Sequence, residues 1–293
     1  MATVKNYLSL VKFSHTIFAL PFAMIGFFLG VIKYESIYNP LPWYQKYGSK
    51  FLLVIVCMVT ARSAAMAFNR YLDRHFDAKN PRTAIREIPK GIISAKNALA
   101  FTIISCIAFI TACYFINRYC FYLSPVALFV ILFYSYTKRF TALCHLVLGA
   151  GLSLAPIGAY LAVVGGFDTL PALFSFTVLF WVSGFDIIYA LQDIEFDKSE
   201  SLYSIPAALG KPKALRVSEL LHFFSAACVI IAGVYGRLGI LYWIGTAVFA
   251  GMLIYQHSIV KPNDLSKVNI AFMTANGIAS VVFAVFVIAG LFL

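Results

Sequence analysis

The stretch Phe51–Asp77, "FLLVIVCMVTARSAAMAFNRYLDRHFD", decides the fold. Its first part is apolar over nearly the length that a helix needs to cross hydrocarbon, about 20 residues. It then ends in Asn69, Arg70, Asp73, Arg74 and Asp77, packed into nine residues. A second apolar run ends the same way, in "DIIYALQDIEFD", Asp186–Asp197. Carboxylates at the mouth of a hydrophobic segment are costly, so their repetition asks for a chemical reason.

The bulk composition agrees with a membrane setting. Of 293 residues, 61% are hydrophobic and 12% charged, about half the charged share of a soluble domain. With a mean hydropathy of +0.86, the chain has more apolar surface than a soluble core of this size can bury. The reading is an all-α, polytopic membrane protein. Apolar runs of spanning length fall near 13–32, 50–69, 97–117, 119–137, 141–164, 170–192, 214–235, 238–257 and 268–291, which predicts about nine transmembrane helices. The first run follows Lys5 and Lys12 but is too long for a signal-peptide core and lacks a small-x-small site, so it is read as a retained helix.

The net charge of +11 does not point to nucleic acid, because the basic residues are confined to particular loops. With the N-terminus inside, 17 Lys and Arg fall on the cytoplasmic side and 5 outside, with Arg62 inside a span. The positive-inside rule then predicts the N-terminus and both acidic stretches on the cytoplasmic face, with the C-terminus outside. The six cysteines lie in apolar segments without a CxxC pair, and packing is their expected role. The acidic stretches end spans two and six, and each precedes an Ile-Pro pair, Ile88-Pro89 and Ile205-Pro206. The expected organisation is one domain: two four-helix units, roughly 1–138 and 139–257, plus a ninth helix at 268–291.

On a helix, Asn69, Asp73 and Asp77 share one face, at i, i+4 and i+8. Asp193 and Asp197 are again four apart, with Asp186 about two turns earlier. Such pairs suit Mg²⁺, which takes one or two carboxylates from a protein and completes its shell with phosphate and water. Arg82, Lys90, Lys138 and Arg139 supply phosphate donors nearby. A membrane-embedded diphosphate is the ligand that uses both sets.

At this point the residues resemble a family. "NRYLDRHFD" fits N-x-x-x-D-x-x-x-D, and "DIIYALQDIEFD" carries D-x-x-Y-A-x-x-D-x-x-x-D; together, in register with the spans, they are similar to the UbiA superfamily of intramembrane prenyltransferases. The resemblance implies nine helices around a central cavity, with cytoplasmic helical loops and a lateral opening to lipid. It implies Mg²⁺-dependent transfer of a polyprenyl group from an isoprenoid diphosphate to an aromatic ring. Carried onto this chain, Asp73 and Asp77 would hold one Mg²⁺, and Asp193 and Asp197 a second. Asn69 would face the diphosphate, as would Arg82 in "NPRT" and Lys138 and Arg139 in "YSYTKRFT". Arg62, two turns before Asn69, and Tyr189 and Asp186, before Asp193, are the further candidates on the acceptor side.

The acceptor is less legible. The 4-hydroxybenzoate branch is expected to open its first span with an arginine, whereas "VKFSHTIFALPF" offers Lys12 and, one turn on, His15. That wording resembles a bacterial subgroup, part of which prenylates a naphthoate-type acid made through futalosine in menaquinone synthesis; the resemblance implies a bacterial inner membrane. Either acid serves respiratory quinone synthesis, and Lys12 could pair with its carboxylate. Haem or lipid-type prenyl transfer is the alternative within the family. A divalent-cation transporter is the alternative outside it, although transporter acids belong at mid-bilayer on broken helices.

The charge bias yields an expected outcome. Reporter domains fused after Lys138 and after Phe292 should report opposite sides of the membrane; the same side for both would overturn the span count or the orientation.

Overall fold

The computed structural model describes residues 3–12, 18–38 and 42–293, the side chains of 34–38 excepted. In chain order the helices are α1 (Val4–Leu10), α2 (Leu20–Tyr38), α3 (Trp43–Leu72), α4 (Arg74–Lys79), α5 (Ala95–Ile116), α6 (Arg118–Thr137) and α7 (Cys144–Val164). They continue with α8 (Thr169–Ala190), α9 (Ile194–Ser199), α10 (Ile205–Tyr235), α11 (Ile240–Ile259) and α12 (Asn276–Phe292). Among the described residues there is no strand, only an isolated bridge between Lys261 and Asp264. This is what lipid dictates, since a helix satisfies its own backbone where no water can.

Eight helical stretches among the described residues are long and apolar enough to cross a membrane. The first predicted span is represented by the shorter apolar stretch Leu20–Lys33, so about nine helices form the bundle. The start of that span, with His15, lies outside the described residues. The narrowest predicted break, at Asn117, is a real one. Its backbone is extended (φ −169°, ψ 166°), its Oδ1 accepts from Cys120 N at 2.9 Å, and its Nδ2 donates to the carbonyls of Leu161 and Ala162 on α7. One side chain thus caps α6 and ties the hairpin to its neighbour. The span predicted at 214–235 begins earlier, at Ile205, with Gly210 in a left-handed conformation (φ 76°) interrupting α10.

The bundle packs as two apolar regions that meet at α2 and α7. One is aromatic, with Phe22, Phe174, Trp181, Phe249 and Phe283 from α2, α8, α11 and α12. The other holds Phe27, Val54, Phe109, Cys113 and Leu128 from α2, α3, α5 and α6. Small residues let the helices approach. A Cβ on Gly26 would lie 1.9 Å from the Pro156 carbonyl oxygen, and one on Gly149 would lie 2.4 Å from that of Leu179. Inside the aromatic half, Asn276 satisfies a buried polar junction: its Oδ1 accepts from Trp181 Nε1 and Gln256 Nε2, both at 2.8 Å. The π-helical turn Ile270–Ala275 precedes it, and Asn276 Nδ2 donates back to Ala271 and Phe272.

The Gly26 contact sets an expectation for stability. Gly26→Ala should destabilise the folded protein by about 1–3 kcal/mol, because the obstacle is backbone and cannot rotate away. Gly251→Ala, where a Cβ would meet nothing within 4 Å, should change stability by no more than about 0.5 kcal/mol. Thermal unfolding of both variants in the same detergent checks the contrast.

Candidate active site

Both acidic stretches interrupt their helices at the first aspartate of each pair. Asp73 ends α3 and precedes α4 with φ −88° and ψ 4°. Asp193 closes a 3₁₀ turn, Leu191–Asp193, and precedes α9 with φ −107° and ψ 5°. These turns bring the acids to one end of the bundle, where a cavity of about 380 Å³ is lined by Asn69, Asp73, Asp193 and Asp197 together with Arg82 and Lys138.

Each first aspartate takes its cations from outside its own motif: Asp73 from the turn after α6, and Asp193 from the segment after α4. Asp73 Oδ1 accepts from Arg139 Nη2 at 2.8 Å, and Lys138 Nζ lies 3.3 Å from Oδ2. Asn69 Nδ2 donates to the same Oδ2 at 3.1 Å. Asp193 is gripped bidentately by Arg82, with Nε at 3.0 Å from Oδ1 and Nη2 on Oδ2. The chain reaches Asp193 because the segment after α4 folds back. There Asn80 Oδ1 accepts from the Arg82 amide at 2.9 Å, and Asn80 Nδ2 donates to Asp193 Oδ1 at 3.2 Å. Burial disfavours the Arg82 charge, but the Asp193 carboxylate more than offsets this and raises the guanidinium above its usual range. Arg82 Nη1 also donates to the Tyr189 hydroxyl at 2.9 Å, and Tyr189 stacks on Phe272 at 4.2 Å between ring centroids.

The second aspartates are more deeply placed. Asp77 is buried behind Asp73, with Arg86 Nη1 2.6 Å from Oδ1 and Arg70 Nη1 4.0 Å from Oδ2. Its Oδ2 has no hydrogen-bond partner among the described residues. Asp197 Oδ2 accepts from Ser204 Oγ at 2.8 Å. Lys12, with φ 47° just past α1, reaches the same cavity. Arg62 lines it too, and its buried Nε is unpartnered among the described residues. Asp186 faces the cavity from α8, 2.7 Å from His145 Nδ1.

Sequence reasoning named most of the charged residues that line the cavity; Asp77 and Arg139 lie outside its lining, and several partners were missed. Arg70 carries a usable signal, being two turns before Asp77 on the same helix face. His145, a histidine at the start of an apolar run, is a functional candidate by that placement alone. Asn80, Arg86 and Ser204 carry none, since only the folded loops bring them to the acids.

Below the polar cavity lies a second, apolar one of about 370 Å³, walled by α3, α5, α6 and α7. The two share Arg62, Met66, Tyr134, Leu148 and Leu152, so the charged end opens directly onto a greasy chamber. Such a helical membrane protein, with acids and bases meeting at one end above an apolar chamber, is built for an amphiphile with a highly charged head. The chain belongs to the UbiA prenyltransferase family, whose model matches residues 19–281. It is accordingly an enzyme, a prenyltransferase, and not the transporter that the acids alone would have allowed.

Relatives and solved structures agree. A 4-hydroxybenzoate octaprenyltransferase of Nitrosospira multiformis is 31% identical over 235 residues, 80% of each chain. One of Tolumonas auensis is 29% identical over 80% of this chain and 82% of its own. The apo structure of a UbiA homologue from Aeropyrum pernix K1 superposes with a TM-score of 0.77 at 31% identity, over 95% of this chain and 97% of its own. The fold is shared as well with a UbiA homologue from Archaeoglobus fulgidus bound to DMAPP and Mg²⁺, at a TM-score of 0.75 and 18% identity over 98% and 99% of the two chains.

The cross-pairing is measurable. A double-mutant cycle on thermal stability with Arg82→Gln and Asp193→Asn should give a coupling of about 0.5–3 kcal/mol. Additive effects would mean that the pair contributes nothing to holding the loop on α8.

Proposed function

We propose that the protein transfers a polyprenyl group from an isoprenoid diphosphate to an aromatic acid, 4-hydroxybenzoate or a naphthoate-type acid, in respiratory quinone synthesis. The observation that carries this reading is the shared wall between the charged cavity and the apolar chamber. A prenyl diphosphate is charged at one end and hydrocarbon along the rest, and only a site of both characters accommodates it.

The acids fit Mg²⁺ by their chemistry. All are hard oxygen donors, and Asp77 keeps a buried oxygen without a hydrogen-bond partner. Among the described residues no three His, Cys, Asp or Glu side chains cluster as a complete cation site. That suits an ion drawing the rest of its shell from phosphate and water. Asp73 with Asp77 would hold one ion and Asp193 with Asp197 another; bound Mg²⁺ supplies charge neutralisation for the departing diphosphate. An Archaeoglobus fulgidus homologue is named as bound to DMAPP and Mg²⁺, which favours Mg²⁺ as the ion.

In this reading Arg82, Lys138, Arg139 and Asn69 bind the diphosphate oxygens. Their contacts to Asp73 and Asp193 pre-place them before the substrate arrives. As the allylic C–O bond breaks, its electron pair goes to the diphosphate, and these donors stabilise that charge where it develops. The apolar chamber holds the hydrocarbon chain and excludes water, which would otherwise capture the allylic carbon. Lys12 and Arg62 line the polar cavity without a carboxylate partner among the described residues, and we assign them to the carboxylate of the acceptor. Tyr189 and Asp186 complete the acceptor side. The 4-hydroxybenzoate octaprenyltransferases among the relatives favour that acid. The positive-inside bias supports a charged cavity at the cytoplasmic face.

The experiment is prenyl transfer by the purified protein in lipid, with a prenyl diphosphate and each candidate acid. Asp73→Asn and Asp193→Asn should each lower turnover on the order of 10²-fold or more. The double variant should lose far less than the product of the two losses, because the groups act on one diphosphate. Chelation of divalent cations should reproduce the loss. Near-normal turnover in a folded Asp193→Asn protein, or after chelation, would overturn the two-cluster reading.

A further inference from the structure

Diphosphate binding leaves one carboxylate of the polar cavity unused. Asp186 lies about two turns before Asp193 on α8. Its side chain is 24% exposed, toward the cavity that it lines. Asp73, Asp77 and Asp193 are each paired with an arginine. Asp186 is instead paired with His145, Nδ1 to Oδ2 at 2.7 Å, and its Oδ1 has no protein partner among the described residues.

His145 is buried and held at three points. Ser183 Oγ donates to its carbonyl oxygen at 3.1 Å. The Ile205 amide donates to its Nε2 at 3.4 Å, which makes Nε2 the acceptor and puts the ring proton on Nδ1, facing Asp186. The helices that carry the pair cannot slide, because α7 and α8 touch one turn away at Gly149, where a Cβ would meet Ser183 Oγ at 2.3 Å. The imidazole is thus a fixed donor that fastens one carboxylate oxygen and leaves the other free.

We propose that Asp186 is the catalytic base that takes the ring proton of the aromatic acceptor, with His145 as its positioning residue. The assignment rests on the prenyl-transfer reading above and extends it to the last step. The allylic C–O bond breaks with its pair going to diphosphate. A ring carbon of the acceptor supplies the pair for the new C–C bond. The C–H bond at that carbon then breaks: the proton goes to Asp186 Oδ1 and the pair returns to the ring. No oxidant or reductant is needed. The arginine-paired aspartates are assigned to Mg²⁺, whereas Asp186, fastened through Oδ2 by the His145 imidazole, keeps Oδ1 for a proton while its position is set. Asp186 meets that requirement from α8, about two turns before Asp193, on the wall of the polar cavity.

The test uses the whole protein in lipid, with prenyl diphosphate and Mg²⁺, and with the acceptor acid either normal or deuterated at its prenylated ring carbon. The wild type should show a ring isotope effect on kcat near one, because C–O ionisation is slower than proton loss. Asp186→Asn should lower kcat by about 10²-fold or more and raise the ring isotope effect well above one. His145→Ala should do the same to a smaller extent. His145→Gln, which restores one N–H donor to Oδ2, should recover part of the loss. Slow Asp186→Asn and His145→Gln proteins, with wild-type thermal stability and ring isotope effects still near one, would overturn the assignment. A wild-type protein that transfers no prenyl group to any aromatic acid would instead refute the parent reading, and the two failures are separable.

Discussion

The cost of ionised side chains at the edge of a low-dielectric bundle governs this structure. A carboxylate cannot stay there unpaired, and the chain meets the cost by exchange between distant segments. Asp73 on the first motif is balanced by Lys138 and Arg139 after α6. Asp193 on the second is balanced by Arg82, from the segment after the first. Lys79 and Glu200, 2.7 Å apart, close the same seam at its exposed edge. The charged end of the bundle is therefore a single crossed assembly, and the apolar helices beneath it are positioned by what it joins.

The same arrangement serves binding. Cations that already face carboxylates are ordered before any phosphate arrives, so less side-chain freedom is lost on binding. The partners differ in exposure: the Arg82 and Lys138 side chains are about a third exposed (32% and 31%), whereas Asp73 is 5% exposed. The donors can turn toward a ligand while the acids stay in place.

Much of this was legible in the sequence, and the reason is periodicity. Asn69, Asp73 and Asp77 announce themselves because a four-residue spacing on a helix makes one face, and the long apolar runs announce the bundle. Helix interruption at Asp73 and Asp193 was not legible, since nothing in the spacing distinguishes a continuous helix from one broken at a single residue. Asn80, Arg86 and Ser204 were hidden for a different reason. Their roles come from how the loops fold back, and loop geometry is set by contacts far apart in the chain. The early start of α10 was hidden by Lys211 and Lys213, which mask the helix from a reading based on apolarity. Lys12 was found from its place before the first span, but its left-handed backbone, which turns the chain directly past α1, was not.

The crossed pairing of the two acidic segments has a consequence for how such a chain can change over generations. Asp73 and Asp193 each draw their counter-charges from outside their own motif, so neither motif can be exchanged as a self-sufficient cassette. A lineage that altered Asp193 would find its compensating change not beside it but 111 positions away, at Arg82. Variation at Asp73 would be answered after α6.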